Sequence, residues 1–527
     1  MIKRIIDILL RPFSKNLYFF LALWVLVSAA DVFFWSIHGE PVFGIYMGVH
    51  GYLLTYLIVV ICGLLKGGLY KALKWILLAL GVINLIADTC VHSITHISFT
   101  GDIVAIILGS NATEASEFLP MYLNREVISF IIVCLVLVFL ILLLEKRNRR
   151  PVDVRLSILM AIFLISGLGL VCIRQSRNWE GLFLFKIGLF AKYEKPVDLA
   201  QYRSDPDIVA TGERPDNIVL IIGESLSKNH CSLYGYKLET TPLIDSLYDN
   251  SDILKFNNIR SAYTNTVASF KSMMSTYRYG SDNTWYKNIF MADIAESGGY
   301  ESYWISNQSS AGIYDNVVST IARLSDHTIW AGEKGRGITK VDLDECLIPE
   351  IDTVLENSNQ KKLIIIHLMG QHESFATRYP ESFSHFSEKD YMDHPENQRK
   401  TLCSYDNAVL YGDYVVKTIF DQFKDKEAIV LFFPDHSIDV YESDPTYIGH
   451  ARNTNTISFE VSSNIPFIVY PTESFKNHFP DMVEKLENAV DKNFNTEDII
   501  YTFMDLANVK FADNDDVKKY SLLSKPE

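Results

Sequence analysis

Runs of apolar residues near the ~20-residue length that crosses a bilayer fill the first third of the chain. They lie at 17–37, 43–65, 69–87, 127–144 and 156–172. Because further runs follow the first, a cleaved leader is a poor reading of it. Between the third and fourth, residues 93–124 mix Thr100, Asp102, Ser110, Asn111 and Glu114 with Ile103, Ile106 and Leu108. That stretch is too polar to span. It reads equally as an interfacial helix pair on the outer face or as a loop with a short helix. A second aromatic, interfacial stretch runs from Trp179 to Phe190, and a tether with Pro196, Pro206 and Pro215 follows it.

Beyond the tether, short runs rich in Ile, Val and Phe alternate with segments of helical length. The clearest runs are 217–222, 363–367, 428–433 and 465–470. Near-continuous apolar strands are buried on both faces, as in a parallel sheet, and their alternation with helices predicts a doubly wound α/β domain. The expected layout is a membrane domain of five transmembrane helices over 1–173, an interfacial helix and linker over 174–215, and an α/β domain over 216–527.

Charge orients the spans. Lys3, Arg4, Arg11 and Lys15 precede the first, Lys66, Lys71 and Lys74 lie between the second and third, and Lys146, Arg147, Arg149, Arg150 and Arg155 lie between the fourth and fifth. The other connections are poor in Lys and Arg, so the N-terminus is expected inside and everything after Cys172 outside. The net charge of −15 arises mostly in the soluble part and argues against nucleic acid as a partner. Of seven cysteines, four lie in or beside apolar spans; Cys231, Cys346 and Cys403 fit no zinc-finger or CxxC spacing, and their odd number leaves a thiol unpaired, so disulfides are not expected to be the main source of stability.

In doubly wound sheets ligands sit beyond the carboxyl ends of the strands. Here the first strand runs into Glu224 and Ser225, the second into His367 and His372, and the third into Asp435 and His436. Carboxylates and imidazoles converging on one sheet edge suit zinc. Each residue alone has a plainer account: Asp435 as a helix cap, His372 as a solvated loop histidine. A reacting group could come from the hydroxyls of Asn258-Ile-Arg-Ser-Ala-Tyr-Thr-Asn-Thr-Val-Ala-Ser-Phe-Lys-Ser-Met-Met-Ser275. A helix N-terminus there would favour a phosphate. Spacing alone leaves Ser261, Thr264, Thr266 and Ser269 open, and favours a merely capped Ser/Thr-rich helix.

The ordered set Asn217-Ile-Val-Leu-Ile-Ile-Gly-Glu-Ser225, Cys231-Ser-Leu-Tyr-Gly-Tyr236, Thr240-Thr-Pro-Leu243, Tyr303-Trp-Ile-Ser-Asn-Gln308, His367-Leu-Met-Gly-Gln-His372 with Arg378-Tyr-Pro380, Tyr405-Asp-Asn-Ala-Val-Leu-Tyr411 with Asp413, and Pro434-Asp-His436 resembles the phosphoethanolamine transferases. These are lipid A- and lipopolysaccharide-modifying members of the sulfatase and alkaline-phosphatase superfamily, and some confer polymyxin resistance. The resemblance implies that Glu224, Asp435 and His436 ligate zinc, and that Thr266 is the nucleophile and fourth ligand. It implies phosphate-binding or proton-transfer roles for His372 and His450, and ethanolamine binding around Ser110, Asn111 and Glu114. One tight zinc is expected, with a second, looser ion near His372 and His450. The implied donor is phosphatidylethanolamine, and the acceptor lipid A or core saccharide. The implied setting is a monomer among the lipids of a bacterial inner membrane, with the catalytic domain periplasmic. The sequence departs from the family at Ala262 and Ser272, where disulfide cysteines are common, and at Glu373-Ser374 after the histidine loop. Competing readings are a phosphoglycerol transferase of the lipoteichoic-acid-synthase kind and a decayed membrane sensor or scaffold. A sulfatase is weaker, because no Cys/Ser-x-Pro-x-Arg motif occurs.

Overall fold

The computed structural model describes residues 2–37, 41–95, 123–147, 154–174, 197–278, 281, 283–308, 310, 317–333, 343–356, 360–445, 447–450 and 456–524. The chain divides into two compact units, with a break between Glu194 and Lys195.

The N-terminal unit holds helices α1 (Ile2–Ser14), α2 (Leu17–Ile37), α3 (Pro41–Cys62), α4 (Gly67–Thr95), α5 (Arg125–Arg147) and α6 (Val154–Arg174). Among the described residues, α2, α3, α4 and α5 are long and apolar enough to cross a membrane. The fifth expected span falls in α6, whose described apolar part is the shorter Arg155–Leu164. Helix α1 was not anticipated, because a search for spanning length passes over a short amphipathic segment. Phe13 of α1 stacks on Tyr56 with ring centroids 5.4 Å apart, and Tyr56 Oη donates to the Leu9 carbonyl at 2.9 Å. Helices α2 and α3 pack closely because α3 places glycine at the crossing. A Cβ on Gly48 would stand 2.8 Å from Val32, the small-residue device of membrane helix pairs. The buried ionisable groups Asp31, Asp88 and His92 of this bundle are paired: His92 Nε2 lies 2.7 Å from Asp31 Oδ1, and Asn84 donates to Asp88 at 2.8 Å.

The second unit is built on a seven-stranded sheet. Its strands are β1 (Asn217–Gly223), β2 (Leu254–Phe256), β3 (Tyr300–Ser306), β4 (His327–Trp330), β5 (Lys361–His367), β6 (Ala428–Pro434) and β7 (Phe467–Pro471). They lie in the order β2-β7-β6-β1-β5-β3-β4. From β6 to β4 neighbouring strands are parallel, whereas β7 runs antiparallel to both β6 and β2. The sheet is therefore mostly parallel, as expected, with an antiparallel strand at 467–471. Alternate residues of each strand feed two cores: Ile218, Leu220 and Ile222 pack on one face, Val219 and Ile221 on the other. Both faces being apolar leaves polar side chains room only at the strand ends. There the chain leaves β1 at Glu224 and β6 at Asp435, and their last residues, Gly223 and Pro434, pair in register.

Three further helices frame this edge: α7 (Pro242–Asp249), α8 (Thr266–Met273) and α9 (Glu396–Phe423). The Tyr-Asp-Asn motif lies on α9 and acts as a clasp. Tyr405 Oη donates to the Ser225 carbonyl at 2.8 Å and accepts from the Ser227 amide at 2.8 Å. Asp406 accepts from His230 Nδ1 at 2.6 Å and Tyr236 Oη at 2.8 Å. Asp413 caps α7 by accepting from the Leu243 and Ile244 amides at 2.9 and 3.0 Å. The motifs around Cys231, Thr240 and Tyr405 thus fasten the loop that follows β1 to α9. Cys62, Cys90, Cys134, Cys231, Cys346 and Cys403 are all free, so no disulfide occurs among the described residues.

Candidate active site

Four side chains meet where β1, β6 and α8 come together. Thr266 opens α8, directly after the N-cap Asn265, whose side chain accepts from the Ala268 amide at 3.0 Å. Thr266 Oγ1 donates to Glu224 Oε2 at 3.0 Å and lies 3.2 Å from His436 Nε2. His436 Nε2 is also 3.3 Å from Glu224 Oε1 and 3.3 Å from Asp435 Oδ2. Glu224, Asp435 and His436 are 2 % exposed or less.

The local bonding aims each group inward. The His436 Nδ1–H donates to the Ser437 carbonyl at 3.0 Å, so Nε2 presents a lone pair. Asp435 Oδ1 accepts from the His436 amide at 2.8 Å, which turns Oδ2 to the centre, and Oδ2 has no hydrogen-bond donor. One ligand atom each from Glu224, Asp435 and His436 lies within 4.8 Å of the others. Burial opposes ionisation of Glu224, yet His436 and His372 outweigh it and hold the carboxyl at about 2. Asp435 is pushed well above its usual range by burial and by the Glu224 charge. Two buried carboxylates this close remain ionised together only around a cation. The bare Asp435 oxygen, the lone pair of His436 and this oxygen-and-imidazole donor set fit zinc.

His450 stands beside this cluster. It ends the hairpin Asp439–Val440/Ile448–Gly449, its ring centroid is 4.6 Å from that of His436, and its Nδ1 lies 3.4 Å from the same Ser437 carbonyl. His372 lies in the loop after β5, where Arg378 Nε donates to its carbonyl at 3.1 Å. Burial lowers His372 to about 4 and His450 to about 3, so both imidazoles are neutral at physiological pH. Ser110, Asn111 and Glu114 lie outside the described residues. His367, at the end of β5, does not join the cluster: it turns into the core against Phe270, with ring centroids 4.8 Å apart.

The rival hydroxyls separate clearly. Ser261 Oγ donates to the Tyr263 carbonyl at 2.7 Å, and Ser269 Oγ reaches the same carbonyl at 3.5 Å. Thr266 alone among these three bonds to Glu224 and His436.

Other residues that shape the site escaped the sequence reading. Asp344 accepts from the Met369 and Gly370 amides at 2.8 and 2.9 Å and from Asn307 at 2.8 Å, which pins the histidine loop. The Gln371 amide donates to the Glu224 carbonyl at 2.9 Å. Gly370 has φ +52°, and a Cβ there would stand 2.8 Å from Glu224 N. A signal exists for this glycine, since it sits between two candidate histidines, but its contact is visible only in three dimensions. Gly370→Ala is expected to displace the Glu224 backbone, destabilise the fold by ~1–2 kcal/mol and slow any turnover at this site about tenfold or more. A variant with wild-type melting temperature and rate would show that the loop yields without moving Glu224.

Residues 216–509 match the Sulfatase family, and the chain belongs to it. Within that family it is similar to the phosphoethanolamine transferases. It is 24% identical over 478 residues to phosphoethanolamine transferase EptC of Escherichia coli strain K12, covering 84% of this chain and 81% of that one. The zinc-bound periplasmic domain of Escherichia coli EptC is 26% identical with a TM-score of 0.54, covering 60% of this chain and 89% of that one. The integral membrane protein lipooligosaccharide phosphoethanolamine transferase A of Neisseria meningitidis shares the fold over 95% of this chain and 96% of its own, with a TM-score of 0.68 at 20% identity. The N-terminal unit is accordingly membrane-embedded and the C-terminal unit soluble.

Proposed function

We propose that this protein transfers phosphoethanolamine from phosphatidylethanolamine to a phosphate or hydroxyl of lipid A or lipopolysaccharide core. The observation that carries the reading is the Thr266 hydroxyl held at 3.0 Å from Glu224 and 3.2 Å from His436 at the start of a helix. Relatives that are phosphoethanolamine transferases, and the membrane unit that would meet lipid substrates, support it.

A neutral imidazole, His372 or His450, would take up the Thr266 proton, freeing Oγ1 to attack phosphorus, and would return it to the departing oxygen. The phosphorus–oxygen bond to diacylglycerol breaks, and diacylglycerol leaves with a proton. The acceptor oxygen then attacks phosphoethanolamine-Thr266, the threonine oxygen leaves and regains its proton, and the enzyme is restored. Free amides in the first turn of α8 would face the phosphoryl oxygens, and His372 and His450 would bind phosphate or relay protons. Glu224, Asp435, His436 and Thr266 would hold zinc, which when bound lowers the pKa of the nucleophile and offsets charge on the phosphoryl group. A second, looser ion would sit near His372 and His450. The segment around Ser110, Asn111 and Glu114 would receive the ethanolamine.

The Lys/Arg asymmetry supports a cytoplasmic N-terminus and a periplasmic catalytic domain, with the boundary at 174–215, and the resemblance to the transferases supports an inner-membrane monomer. A reporter fused after Tyr202 that worked only in the cytoplasm would reverse that topology. Mass spectrometry of lipid A and core from cells with and without the gene tests the activity. Phosphoethanolamine on either acceptor should appear only with the gene, and identical lipids would refute the reading.

A further inference from the structure

The catalytic reading leaves one large groove of the soluble unit unused. It has a volume of about 750 Å³ and is walled by Ile259–Arg260, by the helix Ile457–Ser463 and by the segment through Phe494–Asn495. Four cations line it: Lys228, Arg260, Lys492 and Lys519. In a chain of net charge −15 that is an unusual grouping. Among the described residues none of the four forms an ion pair. Two acids also line it, Glu460 and Asp498, of which Asp498 is taken by Arg278, so cations outnumber acids four to two. Lys492 Nζ instead donates to the carbonyls of Ser521 and Ser524 at 2.8 and 3.0 Å, and Lys228 Nζ to that of Asn257. These neutral partners hold Lys228 and Lys492 in place without cancelling their charge. Burial pushes Lys228 below its usual value, and the Lys255 and Arg260 charges add to the push. Like charges gathered in one concavity are relieved by an anion.

The walls of the groove are hydrogen-bonded to the catalytic loops. The Ser261 amide donates to the Ser463 carbonyl at 2.9 Å, and the Ser437 amide to the Ser462 carbonyl at 2.9 Å. Ser437 in turn holds His436 through its carbonyl. Arg260 lies on the strand that leads through Ser261 to Thr266. The lining is rich in amides, including Asn258, Asn464, Asn493 and Asn495, and Ile457 is its one strongly exposed large apolar residue. A concave, amide-lined and cationic surface suits a discrete hydroxylated anion better than a flat lipid surface.

We infer that this groove binds the phosphorylated sugar of the acceptor, its cations taking a phosphate and its amides the hydroxyls, an inference that rests on the transfer reading above. The full chain in detergent micelles would be titrated with a deacylated, phosphorylated glucosamine disaccharide and with its dephosphorylated counterpart. The wild type should bind the phosphorylated sugar, and more weakly as salt rises. An Arg260→Gln/Lys519→Gln variant should bind it about tenfold more weakly and show an acceptor KM raised by a similar factor. Its uptake of labelled phosphoethanolamine from the donor should be unchanged. Unaltered binding and KM in the variant, or equal binding of the dephosphorylated sugar, would overturn the inference. So would displacement of a groove probe by phosphatidylglycerol vesicles with no binding of the sugar. If the wild type takes no label from the donor, the transfer reading falls while the sugar titration still judges the groove.

Discussion

Thr266→Ala should lower transfer by on the order of 10³-fold or more and abolish any covalent phosphoethanolamine on the protein, while the fold persists. The structural cap of α8 is Asn265, which keeps its bond to the Ala268 amide when Thr266 is truncated. The loss at Thr266 is a single hydroxyl, bonded to a carboxylate that burial already disfavours, so stability should change by no more than ~1 kcal/mol. Thr266→Ser returns the oxygen without its methyl group and should recover part of the activity. Intact mass and peptide mapping after incubation with phosphatidylethanolamine would place the adduct on Thr266. An adduct on Thr264, or full transfer by Thr266→Ala, would move the nucleophile elsewhere.

The second large effect concerns the two acids. Glu224→Ala and Asp435→Ala should each lose the tight zinc, about one per chain in the wild type, together with all transfer. Thermal unfolding should separate this from simple damage, because the sign of the effect depends on metal. Without metal, burial and the Glu224 charge keep Asp435 from ionising beside Glu224, and Asn reproduces that neutral side chain, so Asp435→Asn should melt no lower than the metal-free wild type. With zinc the order should reverse, since a ligand that binds only the folded state at a hundredfold over its Kd adds about 2.7 kcal/mol. Full zinc content in both Ala variants, or a metal-free wild type that outlasts Asp435→Asn, would remove these residues from the metal site.

How much of this was legible in the sequence depended on range. Hydropathy located the apolar helices, because crossing a membrane is a demand on each segment by itself. It passed over α1, whose short amphipathic pattern is ordinary until Phe13 is seen on Tyr56. Glu224, Asp435 and His436 were legible because apolar strands buried on both faces leave polar residues conspicuous at their ends. The same logic overreached at His367, which also ends a strand but turns into the core beside Phe270. Thr266 stood out from its neighbours only through family resemblance. Ser261 and Ser269 carry the same hydroxyl, and what distinguishes them is a Tyr263 carbonyl that no spacing reveals. Asp344, Gly370 and Tyr405 act through backbone atoms distant in sequence, so their roles appeared only once the chain was folded.

The in-register pairing of Gly223 with Pro434 has a consequence for how such a protein can change. Glu224 and Asp435 issue from adjacent parallel strands at the same level, so the distance between them belongs to the sheet and not to any loop. Insertions, deletions or replacements in the hairpin bearing His450, in the loop bearing His372 or along the cationic groove can therefore accumulate without altering that distance. New acceptors become reachable by editing the periphery, while the pair of acids stays where hydrogen bonding between strands has put it. A lineage built this way can diversify what it modifies and still inherit one unaltered chemical centre.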